Sequence, residues 1–90
     1  MTQNNSNDKV ELKKRYYDSG ALWIETPYVN GKEHGIEKWY YKSGALEWET
    51  PYVNDKVHGI EKTYDKDTSN IARLELYDKD REVLTLCCGI

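Results

Sequence analysis

Residues 17–40 read YDSGALWIETPYVNGKEHGIEKWY, and residues 41–64 read YKSGALEWETPYVNDKVHGIEKTY. The two stretches align without a gap at a period of 24 residues, and 18 of the 24 positions are identical. Repetition at this length marks an architecture in which each unit packs mainly on its neighbours. The phase runs outward on the N-terminal side: Tyr16 falls where Tyr40 and Tyr64 fall, and Leu12 where Ile36 and Ile60 fall. After Tyr64 the stretch DKDTSNIARLELYDKDREVLTL keeps the apolar alternation and loses the words. An atypical end unit is expected, because it lacks one neighbour.

Each unit reads as two strands and two turns. ALWIETPYV, from Ala21, is rich in β-formers and bounded by turn residues. Asn30-Gly31 is a strong hairpin signal, and its counterpart is Asn54-Asp55. GIEKWYY is the return strand, and a turn ending at Gly20 or Gly44 closes each unit. Apolar residues do not recur at helical spacing. With a first strand near 10–17 and a last hairpin near 71–87, the expectation is all-β: an antiparallel meander of tandem hairpins with six or seven strands and little or no helix. The organisation expected is a disordered tail over 1–9 and one repeat domain over 10–90, with degenerate terminal units at 10–16 and 65–90.

A register can be written down. Gly35 is placed opposite Tyr28 and Tyr52, Lys38 between Glu25 and Glu49, Trp39 between Ile24 and Trp48, and Tyr41 between Leu22 and Leu46. Opposite charges and apolar pairs then meet across strands, each pair contributing ~0.2–1 kcal/mol. Pro27 and Pro51 sit inside strands paired on both sides, where proline cannot donate to the ladder. A kink or bulge is therefore expected at Thr26-Pro27 and Thr50-Pro51, with a shifted register toward the turn. In this scheme Leu22, Ile24, Trp39, Tyr41, Leu46 and Trp48 share the drier face. Trp23, Glu25, Lys38, Tyr40, Glu47 and Glu49 share the other.

Composition narrows the function. The chain has eight Tyr, three Trp and no Phe, a choice that suits rings with one dry side and one wet end. Net charge is -3, with 13 basic and 16 acidic residues and no long block of either sign. The basic run Lys13, Lys14 and Arg15 divides between the faces of a strand, so no nucleic-acid footprint forms. No segment reaches the roughly 18 apolar residues of a membrane span, and MTQNNSNDK lacks the apolar core of a secretory signal. Cys87 and Cys88 are the only cysteines. As strand neighbours they point to opposite faces, which disfavours a bond between them, and two free thiols fit a reducing cytoplasm.

The words YYKSGALEWETPYVNDKVHGIEKTY resemble the MORN-variant repeat, whose units run Tyr-x-x-Gly-x-Leu-x-x-Glu, then Tyr-x-Asn-Gly-Lys, then His-Gly, then Lys-x-Tyr. The first unit carries Tyr17, Gly20, Leu22, Glu25, Tyr28, Asn30, Gly31, Lys32, His34, Gly35, Lys38 and Tyr40 at those places, and the second matches in step. Asp55 departs from the family glycine. The resemblance spans about residues 10–65 and extends to short proteins of the YwqK-type antitoxin family. It implies an elongated hairpin ladder and binding to a partner, whether a protein, a membrane lipid or a second copy of the chain. It carries no catalytic residue.

Chemistry-bearing residues are sparse. His34 and His58 are equivalent positions two strands apart, about 10 Å at ~4.8 Å per step, too far to share a zinc ion with ligand distances near ~2.0–2.1 Å. Glu25 and Glu49 flank Lys38, which holds both ionised rather than raising one pKa. Cys87 has no base to activate it. No metal, cofactor or catalytic residue is expected, and the protein is read as a non-enzyme. Trp23, Trp39 and Trp48 fall where the copies diverge, against Glu47, Thr63 and Ile24. Divergent positions on a repeat scaffold are natural contact sites, and Trp is a favoured interface anchor. The candidate binding residues are therefore Trp23, Glu25, Trp39, Glu47, Trp48 and Glu49. The function expected is neutralisation of a protein partner with a basic surface by occlusion, as an antitoxin or a phage-encoded inhibitor of host defence would act. The alternatives are a self-assembling homodimeric scaffold and, disfavoured by the acidic balance, a lipid-headgroup binder.

Overall fold

The computed structural model describes residues 7–87, so most of the expected N-terminal tail and Cys88 lie outside the described residues. The side chain of Cys87 lies outside them too. The fold is all-β. Seven long strands follow one another across a single antiparallel sheet: β1 (Val10–Tyr16), β2 (Leu22–Val29), β4 (Gly35–Tyr40), β5 (Leu46–Val53), β7 (Gly59–Tyr64), β8 (Ile71–Asp78) and β9 (Arg81–Cys87). Two-residue strands β3 (Lys32–Glu33) and β6 (Lys56–Val57) extend the hairpins on β2 and β5.

The central register is the expected one. Lys38 pairs with Glu25 and Glu49, and Trp39 with Ile24 and Trp48. Toward the turn the register changes, as the prolines require. Glu25 faces Lys38, but Tyr28 faces Glu33 rather than Gly35. Residues 34–37 thus stand against Thr26 and Pro27 alone, and the second unit repeats this at Thr50 and Pro51. Pro27 offers no N–H, so the facing strand peels away and returns, with the His34 N–H donating to the Pro27 carbonyl at 3.1 Å. Gly35 takes φ +117, and a Cβ there would lie 3.0 Å from Pro27 Cγ; at Gly59 the values are +121 and 3.2 Å against Pro51. The His-Gly pair of each unit is the backbone's answer to the proline. In β8, Leu76 replaces the proline, and the disturbance shrinks to one extra residue, Val83.

A second irregularity recurs at Trp23, Glu47 and Ala72. In each case the partner strand steps past one residue: Arg15 faces Ile24 while Tyr16 faces Leu22, Trp39 faces Trp48 while Tyr40 faces Leu46, and Thr63 faces Arg73 while Tyr64 faces Ile71. These bulges correct the expected faces. Leu22 and Leu46 join Tyr16 and Tyr40 on one face, whereas Trp23 crosses to the face of Ile24 and Trp39. Tyr41 lies outside the strands rather than between Leu22 and Leu46.

Turn chemistry holds successive hairpins together. Asn30-Gly31, Asn54-Asp55 and Lys79-Asp80 all have positive φ at both residues, the signature of type I′ hairpin turns. Asp55 replaces a glycine and docks on the previous hairpin: its N–H donates to the Glu33 carbonyl at 2.9 Å, and its Oδ1 accepts the Glu33 N–H at 2.8 Å. Asp80 does the same with Val57, and Asn30 with Lys9. Asp8 and Lys9, at the end of the expected tail, are thereby hydrogen-bonded to Asn30. At the opposite edge, the Tyr17 and Tyr41 hydroxyls donate to the carbonyls of Tyr40 and Tyr64, tying the first residue of each unit to its last. The loop 65–70 is one residue longer than its predecessors, and Asp65 caps it by accepting the N–H groups of Asp67 and Thr68. That insertion puts the alternation of the third unit out of step with the 24-residue period.

Candidate functional site

One face of the sheet carries Arg15, Ile24, Trp39, Trp48, Thr63 and Arg73 along a row, strand after strand. Beside it run Lys13, Thr26, Glu37, Thr50, Glu61, Glu75 and Thr85. This is the drier face. Ile24 is 5% exposed, Thr26 7% and Thr50 4%, and Ile24 is the only buried hydrophobic residue among those described.

The tryptophans meet here. Trp39 and Trp48 stack at 4.7 Å between ring centroids, Trp23 sets its ring edge-on to Trp39 at 5.8 Å, and Tyr17 lies 5.6 Å from Trp23. Such geometries follow the ring quadrupole. The bulge at Trp23 makes the row continuous, since an unbroken strand would point that ring the other way. All four rings are half-buried. Tyr17, absent from the candidate residues, was concealed because both units carry it and it reads as scaffold.

Beside Trp39 sits a buried carboxylate. Glu37 is 9% exposed; Thr26 Oγ1 donates to its Oε2 at 2.7 Å and Trp39 Nε1 to its Oε1 at 2.9 Å. Glu37 therefore fixes the Trp39 indole. In the next unit Thr50 donates to Glu61 at 2.7 Å, but Thr63 stands in place of the tryptophan. A cleft of about 340 Å³ opens beside this group, with Lys13 and Arg15 on its β1 side and Tyr28, Glu33 and Trp39 among its other walls. Carboxylates surround Tyr28 and Tyr52 on this face, against Arg15 on the β1 side. Burial, then Glu33, Glu37 and Asp55, raise the Tyr28 pKa. Burial, then Glu37 and Glu33, push Tyr52 up to about 12. Burial and the neighbouring Glu37 and Asp55 also raise Glu33.

The six candidate residues do not form one site. Trp23, Trp39 and Trp48 lie together. Glu47 is the bulge counterpart of Trp23, close enough to Tyr41 to help raise its pKa after burial. Glu25 and Glu49 lie on the opposite face, in the row Lys14, Glu25, Lys38, Glu49 and Lys62. Their partners there are hydroxyls rather than ammonium groups: Tyr64 donates to Glu49 at 2.7 Å, and Tyr40 is hydrogen-bonded to Glu25. No lysine of that row makes an ion pair among the described residues.

No group of three or more metal-ligating side chains occurs among the described residues. His58 Nδ1 accepts the Lys79 N–H at 3.3 Å and lies 3.5 Å from Asp78, and the backbone N–H groups of His34 and His58 serve the proline carbonyls.

No curated protein and no solved structure matches the chain. The family model of the MORN repeat variant matches it twice, and repeats of this kind are generally protein- or membrane-binding modules. The matched segments, residues 12–30 and 33–54, cover the β1–β2 and β4–β5 pairs that meet at the aromatic row, and it is over this half of the sheet that the sequence is similar to the MORN repeat variant.

Proposed function

We propose that the chain is a protein-binding module that docks a basic surface of its partner on the aromatic face and acts by occlusion, in the cytoplasm, as an antitoxin or a phage-encoded inhibitor of host defence would. The observation that carries this reading is the continuous row Tyr17, Trp23, Trp39 and Trp48, half-buried, with the Trp39 indole held by the Glu37 carboxylate. Large rings held at fixed angles lose little conformational freedom on binding, and aromatic clusters of this kind anchor interfaces. The carboxylates Glu33, Glu37 and Glu61 supply the field that draws a basic partner and sets its orientation. Glu47, in the place of Trp23, gives the second unit a charged contact where the first has a ring. Glu25 and Glu49, on the other face, are not part of this surface.

The test begins with capture on the tagged chain from its native cell and identification by mass spectrometry, followed by titration of the purified partner. Replacing Trp23 and Trp48 together by Ala should weaken that binding by at least tenfold, with the far-ultraviolet circular dichroism unchanged. Raising salt should weaken it further. A partner held equally well by the double variant would refute the assignment of this face.

A further inference from the structure

The opposite face is built on a different plan. A stripe of apolar side chains crosses the sheet there: Leu12 faces Pro27, Ile36 faces Pro51, and Ile60 faces Leu76. The members are open to solvent, with Leu12 52% exposed, Ile36 45%, Ile60 49% and Leu76 39%. Next to the stripe runs the alternating row Lys14, Glu25, Lys38, Glu49 and Lys62, whose lysines are not ion-paired among the described residues. Beyond that row lie Tyr40 with Leu46, and Leu22 with Tyr16.

We infer that this face joins a second copy of the chain through a two-fold axis running along the strands between β4 and β5. Alternating charge, three lysines against two glutamates, presents little net field to a strongly acidic or basic partner. It is complementary to itself once reversed about a line between two strands. An axis through any one strand sets like on like, Lys38 on Lys38 or Glu49 on Glu49. An axis between β4 and β5 sets Lys38 on Glu49 of the second copy and Glu25 on its Lys62. The neighbouring rows fall into place under the same operation. Ile36 meets Pro51 of the second copy, Pro27 meets its Ile60, Leu12 its Leu76, and Tyr40 its Leu46. An axis between β2 and β4 keeps the charge match but overlaps four strands, and one between β5 and β7 overlaps six but sets Lys38 on Leu74 and Glu25 on Leu86 of the second copy. Six strands at ~4.8 Å and three rows at ~6.8 Å give a footprint of roughly 29 by 20 Å, near 600 Å² per copy. Standard interfaces bury ~800 Å² per partner, so the dimer exchanges with monomer and its population depends on concentration. The interface leaves the aromatic face free.

Two measurements on the full chain test this. Sedimentation over a concentration series should show a monomer–dimer equilibrium, and replacing Ile36 and Ile60 together by Glu should raise the dissociation constant at least tenfold while the circular dichroism stays the same. A zero-length carbodiimide reaction should then link Glu25 to Lys62, and Lys62→Gln should abolish that link. Within one chain these two side chains stand on strands three steps apart, about 14 Å, so the link reports the second copy alone. A chain that remains monomeric up to millimolar concentration overturns the inference. So does a dimer that the Ile36 and Ile60 changes leave intact, or one whose cross-links omit Glu25 and Lys62.

Discussion

At the scale of single residues, the chain repeatedly sets tyrosine hydroxyls against carboxylates. Tyr64 donates to Glu49 at 2.7 Å, and burial together with that carboxylate pushes its pKa up to about 12. Tyr52 reaches about 12 through burial and then Glu37, Glu33, Glu61 and Asp80. Both phenols prefer to keep their protons in the fold, whereas the unfolded chain loses them near the ordinary phenol value of 10.0. Their contribution to stability is therefore present in full below pH 10. It is lost as pH climbs from 10 toward 12, because over that window the unfolded state binds fewer protons than the folded one. The urea midpoint should fall across this interval, and near-ultraviolet absorbance should show late-titrating tyrosines. Tyr64→Phe should make the fall shallower. A midpoint indifferent to pH between these values would contradict the carboxylate contacts.

At the scale of elements, the hairpin turns explain both a departure from the pattern of the first unit and the limits of reading the sequence. Asp55 stands where Gly31 stands in the first unit, at φ 72, a conformation that favours glycine. Its side chain offsets that cost by accepting the Glu33 N–H. Asp55→Ala should keep the backbone strain and lose the bond, lowering stability by about 1–2 kcal/mol in urea denaturation. Asp55→Gly should relieve the strain and lose the bond, and fall within about 0.5 kcal/mol of the parent. Equal losses for the two would mean the turn is not in the left-handed region. The strand pairs around Lys38 were legible because charge and apolar alternation agree there. The proline irregularity was legible because proline announces its missing donor. The bulges at Trp23 and Glu47 were not, since no glycine or proline marks them and strict alternation assigns those residues to the wrong face. The error split the aromatic row in the sequence reading and mixed Glu25 and Glu49 with it. Glu37 was missed as the support of Trp39 because an acid flanked by Ile36 and Lys38 looks like an exposed strand position.

At the scale of the molecule, the described sheet measures 44 × 36 × 23 Å with a radius of gyration of 14.8 Å, against about 12 Å for a compact chain of this length. With Ile24 the only buried hydrophobic residue among those described, stability resides in the contacts each strand makes with the next rather than in a central core. Such a molecule is nearly one-dimensional, and its free energy is a sum over units and their interfaces. The ties within units and the joints between them are equivalent: within a unit, Tyr17 reaches Tyr40 as Tyr41 reaches Tyr64. Glu33 meets Asp55 as Val57 meets Asp80. A second copy of residues 41–64 inserted after Tyr64 should therefore fold as another hairpin with every junction met by its usual partners. Both the free energy of unfolding and its dependence on urea should rise, because the added unit brings its own strands and one more interface, and the dependence on urea follows the surface exposed. A molecule organised around a closed core would be disrupted by the same insertion. A longer chain that unfolds at lower urea than its parent, or in two separate steps, would show that the units do not couple as a ladder.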